Sequence, residues 1–193
     1  MSGSTLTPVS GSRKANRGPS AGPENRRALI AAAREVFATG GLTAPLSTVA
    51  RRAGVGQGSL YRHFPDRTAL AVAVFDENIG NLEAIVDRPD TTLDDLLDLV
   101  IEQALVSTAF IDMVTANPHD PRVVHLGERF YEIAERALDR ERAAGRIGAH
   151  VATDDLLLAV SMLSGVLARS DPEDRRDVAR RAWALFHAAF APR

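Results

Sequence analysis

The chain has 193 residues, 45% of them apolar and 25% charged, with ten prolines, fourteen glycines and no cysteine. This globular composition excludes collagen-like, wholly disordered and disulfide-stapled classes, and the lack of thiols removes thiolate zinc sites, iron–sulfur clusters and cysteine nucleophiles. The net charge of −2 conceals a division: residues 1–70 hold ten Lys/Arg against three acidic residues, a net +7, and residues 71–193 hold thirteen against twenty-two, a net −9. A basic end on an acidic body suits one polyanion-facing end, though a solubilising tail gives the same sum. No apolar run approaches the roughly 20 residues of a spanning helix. Residues 1–25 contain no apolar stretch of signal-peptide length, so a cytoplasmic protein is expected.

Residues 1–22 are rich in Ser, Gly, Thr and Pro and carry Arg13, Lys14 and Arg17. They are too polar to pack and are expected to form a disordered basic arm. From Pro23 onward, Leu29, Ala32, Ala33, Val36 and Phe37 fall at helical spacing until Gly40-Gly41 stops the helix. Pro45 suits a first helical position. Val49, Ala50 and Ala53 form one face of a short helix ending near Gly54, and a third helix runs from Gly56 to Phe64, closed by Pro65. Asp66 is an N-cap for a fourth helix over Arg67–Asp87. Leu93, Leu96, Leu97, Val100, Ile101, Ala104 and Leu105 define a fifth, reaching Thr115 before a loop at 116–121. A sixth spans Arg122–Ala144, and Ala152–Arg169 and Pro172–Ala191 follow. No segment alternates with period two for long enough to pair as a sheet. The expected fold is all-α, with about nine helices in total. It divides into a three-helix domain over 23–70 and a larger helical domain over 71–193.

The stretch Leu46–Leu70 (LSTVARRAGVGQGSLYRHFPDRTAL) carries the chemistry. Two short helices joined at Gly54 match a helix-turn-helix unit. Ala50 marks the close helix crossing, Gly54 a left-handed turn position, and Leu60 the residue facing back into the angle. The second helix then exposes Gln57, Ser59, Tyr61, Arg62 and His63, the amide, hydroxyl and cationic groups that read bases and hold phosphates.

This stretch resembles the tetracycline-repressor (TetR/AcrR-type) family of bacterial transcriptional regulators. The resemblance rests on Ala53-Gly54-Val55, Gly58, Leu60-Tyr61, His63-Phe64 and Leu70, with Phe37 and Gly41 upstream, and covers residues 24–75. It implies a homodimeric, ligand-responsive regulator of double-stranded, palindromic operator DNA, most often a repressor, associated with the nucleoid when bound. It places Ser47 and Thr48 at family contact positions early in the second helix. Gln57, Ser59, Tyr61 and His63 match contact positions in the third, and Arg67 matches the cation that clamps a phosphate. Pro45 departs from the family, standing where many members have a threonine cap, with Thr43 as a substitute. Tyr61 also has an alternative role in packing against the first helix, and His63 one as a surface residue beside Phe64.

For the larger domain the resemblance implies a small-molecule pocket among helices four to seven and dimerisation through the last two. Leu156, Val160, Leu163, Leu167, Trp183, Phe186 and Phe190 give those two helices more apolar surface than one core face takes. That suits a dimer interface and also an intramolecular core. Phe75, Ile101, Phe110, Met113, Phe130 and Tyr131 are candidate pocket residues, which implies a small, largely apolar effector. Asn117, His119 and Asp120 fit no metal-ligand spacing. Asp94-Asp95 and Asp154-Asp155 lie at helix starts, where capping and the helix dipole account for them. GVGQG lacks the lysine of a phosphate-binding loop. No enzymatic activity, cofactor, metal or membrane partner is expected.

Overall fold

A computed structural model describes residues 21–102, 104–171 and 173–193, so residues 1–20 of the expected arm lie outside the described residues. All regular structure among the described residues is helical. In chain order the helices are α1 (Ala21–Gly40), α2 (Leu46–Arg52), α3 (Gln57–His63), α4 (Arg67–Val86), α5 (Leu93–Glu102), α6 (Ala104–Ala116), α7 (Pro121–Ala143), α8 (Thr153–Arg169) and α9 (Arg175–Phe190).

Several boundaries differ from the sequence reading. The first helix begins at Ala21, ahead of Pro23, because the first turn does not need the amide that proline lacks. Pro45 stands one place outside α2, with ψ at 131°, and caps it without a side-chain bond. The last helix starts at Arg175, and Pro172, where it was expected to start, lies outside the described residues. The helix expected over 93–115 is helical on both sides of residue 103, which lies outside the described residues, as α5 and α6. Both meet α7 and α8, while α5 also packs on α9 and α6 on α1 and α4.

The N-terminal three helices close around one apolar centre. Leu29, Ile30, Ala33 and Phe37 of α1 are buried together with Val49 and Ala50 of α2 and Leu60 of α3. Gly54 ends α2 with φ +66°, its amide donating to Arg51 O and that of Val55 to Ala50 O. This pair of bonds is a Schellman closure, and only glycine takes the left-handed position without strain.

The body is organised by α7, against which α4 packs most extensively. Three α7 arginines seven residues apart hold carboxylates of α4 and its caps. Arg122 reaches Asp66 at 3.4 Å, Arg129 forks both oxygens of Glu83 at 2.8 Å and meets Asp76 at 2.5 Å, and Arg136 pairs with Asp87 at 2.7 Å. Arg140 finishes the row by donating to the carbonyls of Val86, Arg88 and Thr91. Val86 O is among the carbonyls that the end of α4 would otherwise leave without an intrahelical partner. Asp120 caps α7, accepting from the amide of Arg122, and the Arg122 guanidinium holds its carboxyl down at about 2.

At the far end of α7, Glu141 is only 5% exposed. It accepts from the Leu93 amide at the start of α5 and from Nε and Nη2 of Arg146 at 2.6 and 2.8 Å. The Arg146 bonds outweigh burial and hold this carboxyl below its ordinary value of 4.5. A lowered carboxyl stabilises the fold fully above its ordinary value and stops doing so as pH falls through the lowered one. Glu141→Gln is therefore expected to lower unfolding free energy by roughly 1–3 kcal/mol at pH 7. Denaturant titrations of the two proteins should converge at acid pH; an equal gap at pH 7 and below the lowered value would refute the assignment.

Candidate nucleic-acid interface and apolar cleft

The turn at Gly54 sets α3 so that one face enters the core through Leu60 and the opposite face is open. Gln57, Tyr61 and Arg62 are exposed, Tyr61 at 53%, while Ser59 and His63 are half-buried. Tyr61 therefore does not bury its ring against α1. His63 lies 6.4 Å from the Phe64 ring, centroid to centroid. From α2, Ser47 is exposed and Thr48 half-buried. The open side of the unit is cationic: Arg51, Arg52 and Arg62 are exposed, and Arg26 of α1 sits 5.4 Å over the ring of Phe64 in a cation–π contact. Arg52 is paired with Glu35, which leaves Arg51 and Arg62 as the more available cations of that set.

Arg67 differs from the other candidates. Its Nη1 donates to the carbonyls of Leu42 and Ala44, so the guanidinium stitches the start of α4 to the α1–α2 connection. The pattern of the sequence held no sign of this bond, because both acceptors are main-chain atoms. Pro45 leaves the α2 amides without a side-chain cap, and Thr43 is exposed.

Residues 29–74 match the family described as bacterial regulatory proteins, tetR family. The helix-turn-helix domain is of the TetR-family type. The HTH-type transcriptional activator FasR of Mycolicibacterium smegmatis is 40% identical over 76 residues, which cover 39% of this chain and 34% of that protein. The matched segment thus spans about a third of the length of that curated relative. A TetR transcriptional regulator of Streptomyces coelicolor is 28% identical over 86% of this chain and 98% of its own, with a TM-score of 0.58. A gamma-butyrolactone receptor shares the fold at 20% identity, over 89% of this chain and 90% of its own, with a TM-score of 0.61.

Beyond the helix-turn-helix, the chain has an apolar cleft with about 50 Å3 of space for water-sized groups, or about 510 Å3 once the gaps between atoms and the open mouth are counted. Leu82 of α4, Leu93 and Leu96 of α5, Phe130, Ile133, Ala134 and Ala137 of α7, Leu156, Leu157 and Val160 of α8, and Trp183 of α9 line it. Of the expected pocket residues only Phe130 is among them. Phe75 and Met113 are buried in the core, and Phe110 joins Phe75 to Phe130 in an edge-to-face chain at 5.2 and 5.5 Å. Tyr131 points outward at 40% exposure, and the Ile101 side chain lies outside the described residues. Helical periodicity marks which residues are apolar without marking which of them leave a gap.

The expected dimer residues also divide. Leu156, Leu163 and Leu167 are buried within their own subunit, Val160 and Trp183 line the cleft, and Phe186 and Phe190 are half-buried. The apolar surface left open is a row on α8, Leu158, Met162 and Val166, with Leu185 on α9 at 72% exposure. That row escaped the sequence reading because α8 is apolar on more than one face. No group of three or more His, Cys, Asp or Glu that could hold a metal occurs among the described residues, nor any helix long and apolar enough to cross a membrane.

The two kinds of residue in the interface separate experimentally. Arg67→Ala is expected to cost about 1–3 kcal/mol of folding stability, because two carbonyls lose their charged donor. Gln57→Ala, at an exposed position, should stay within about 0.5 kcal/mol of the parent. Chemical denaturation of both variants checks this, and equal stability would show that the Arg67 bridge carries no load.

Proposed function

We propose that the protein is a homodimeric DNA-binding transcriptional regulator, acting in the cytoplasm on chromosomal DNA as a repressor that a small molecule in the apolar cleft releases. The observation that carries this reading is the open face of α3, with Gln57, Tyr61 and Arg62 exposed on a helix that Leu60 and Gly54 fix in place. In this reading Gln57 and Arg62 meet base edges, and Ser47, Thr48, Ser59, Tyr61 and His63 meet the backbone. Arg67 acts through the loop it holds and through whatever phosphate its remaining N–H groups reach. Repression is the sense that the family resemblance favours, whereas the relative FasR is named an activator. A promoter–reporter fusion in cells with and without the gene distinguishes the two.

Pairing follows from surface physics. A row of exposed apolar side chains at i, i+4 and i+8, with Leu185 exposed on the neighbouring helix α9, costs solubility unless covered. A second copy covering it makes a two-fold contact of the kind most soluble oligomers use. Two recognition helices then need a spacing of about 34–36 Å, or one further turn, to enter successive major grooves.

Release is supported by where the cleft lies. Leu82 precedes Glu83 on α4, and Phe130 follows Arg129 on α7, so the cleft wall is next to the Arg129–Glu83 fork. A molecule that parts Leu82 from Phe130 loads that ion pair and tilts α4. A differential affinity of a few kcal/mol between the two α4 positions empties an operator, and DNA must weaken the ligand by the same factor.

Two experiments test the reading. Gln57→Ala should weaken specific promoter DNA by about 1–3 kcal/mol and leave random DNA nearly unchanged, with binding that falls steeply as salt rises. Fluorescence anisotropy with DNA flanking the gene measures both, and salt-independent or absent binding rejects the proposal. Met162→Glu should convert the dimer to monomer in light scattering and reduce promoter affinity; an unchanged mass places the interface elsewhere.

A further inference from the structure

We infer that the cleft takes an uncharged ligand with a hydrocarbon body and rejects carboxylates, because its described lining side chains are all apolar and the Asp94 carboxylate stands beside its Trp183 wall. The inference rests on the proposal that the cleft is the effector site, and it adds the chemistry of the ligand.

The walls come first. Every lining side chain is aliphatic or aromatic, and the one polar atom among them, the Trp183 indole nitrogen, donates to Asp94 Oδ1 at 2.6 Å. A polar group carried inside would lose its water and gain no partner, a cost of several kcal/mol for a neutral group and far more for an ion. The lining residues of α7 run from Phe130 to Ala137, seven residues or roughly 10 Å, the reach of a chain of about eight carbons.

The rim then sorts ligands by charge. Asp94 lies beside the cleft wall through Trp183 and also meets His187 Nε2 at 3.3 Å. On the other side of Leu93 is a smaller hollow lined by Glu141, Arg146 and His187. Arg146 gives both Nε and Nη2 to Glu141, so its charge is already matched. With Glu141 matched by Arg146, Asp94 is the remaining carboxylate of this group, shared between the Trp183 indole and His187. α5 itself adds Asp95, Asp98 and Glu102 and contains no basic residue. A carboxylate whose chain fills the cleft would stand beside Asp94. A hydroxyl or amide N–H in that place can donate to Asp94.

Trp183 is the only tryptophan in the chain, so its emission reports on the cleft wall directly. The test titrates the full-length protein with 1-octanol and with octanoate at pH 8. Octanol should shift Trp183 emission saturably, with octanoate at least about tenfold weaker, because its carboxylate must either lose its water against apolar walls or stand beside Asp94. Asp94→Asn keeps an oxygen for the indole N–H while removing the charge, and should narrow the gap between octanoate and octanol by roughly two- to fivefold, the size of one solvent-screened charge contact. Ala134→Phe, or the milder Leu157→Phe if the first does not fold, should abolish the octanol response by filling the cleft. Octanoate binding as tightly as octanol, no response to octanol, or a response that survives both filling variants would each overturn the inference. Promoter binding, measured on the same protein without ligand, reads the DNA-binding proposal separately, so either can fail alone.

Discussion

The grip of α7 on α4 is the constraint on which the rest of the molecule depends. Each pair in the row is a partly exposed ion pair, and such pairs contribute little singly. Their effect lies in the register. Arg122, Arg129 and Arg136 repeat every seven residues, so they lie along one stripe of α7, while their partners run from Asp66 ahead of α4 to Asp87 just past it. A sliding α4 would have to break several charged contacts together. The helix that leaves the helix-turn-helix is thus held to the body along its whole length, and the cleft opens between the same two helices at Leu82 and Phe130.

The sequence was most legible where backbone geometry dictates residue type. Gly41 at φ +65°, Gly54 at φ +66° and Asp66 with its side chain on the Ala69 amide stand where turn and cap chemistry placed them. The buried Ala50 and Leu60 agree with the spacing of a helix-turn-helix. Legibility failed where the outcome depends on which partner an apolar face meets. Of the candidate pocket residues with described side chains, Phe130 lines the cleft while Phe75 and Met113 went to the core. The bonds of Arg67 and Arg140 to carbonyls were likewise invisible, because any residue can supply the acceptor.

Helix α8 shows why the body resists reading from a single chain. Leu163 and Leu167 face the core, Leu156, Leu157 and Val160 line the cleft, and Leu158, Met162 and Val166 face outward. Nearly continuous apolarity is what a helix serving three surroundings requires. A pattern drawn for one buried stripe therefore merges surfaces with different proposed tasks. Among the candidate DNA-contact residues the opposite holds: α3 has one buried residue, Leu60, and the exposure of the others follows from it.

The length of α4 has a mechanical consequence. Its 20 residues make a rod of about 30 Å, so a tilt of about 5° pivoting at its C-terminal end, where Arg140 anchors it, sweeps the end at Asp66 through about 2.5 Å. The displacement at the cleft, which borders α4 at Leu82 near the pivot, is only a small fraction of that. In the proposed release, leverage of this kind would let a ligand that barely disturbs its own walls move the far end of the rod by an amount a DNA groove can register, and shortening or kinking α4 would remove the gain without touching either site.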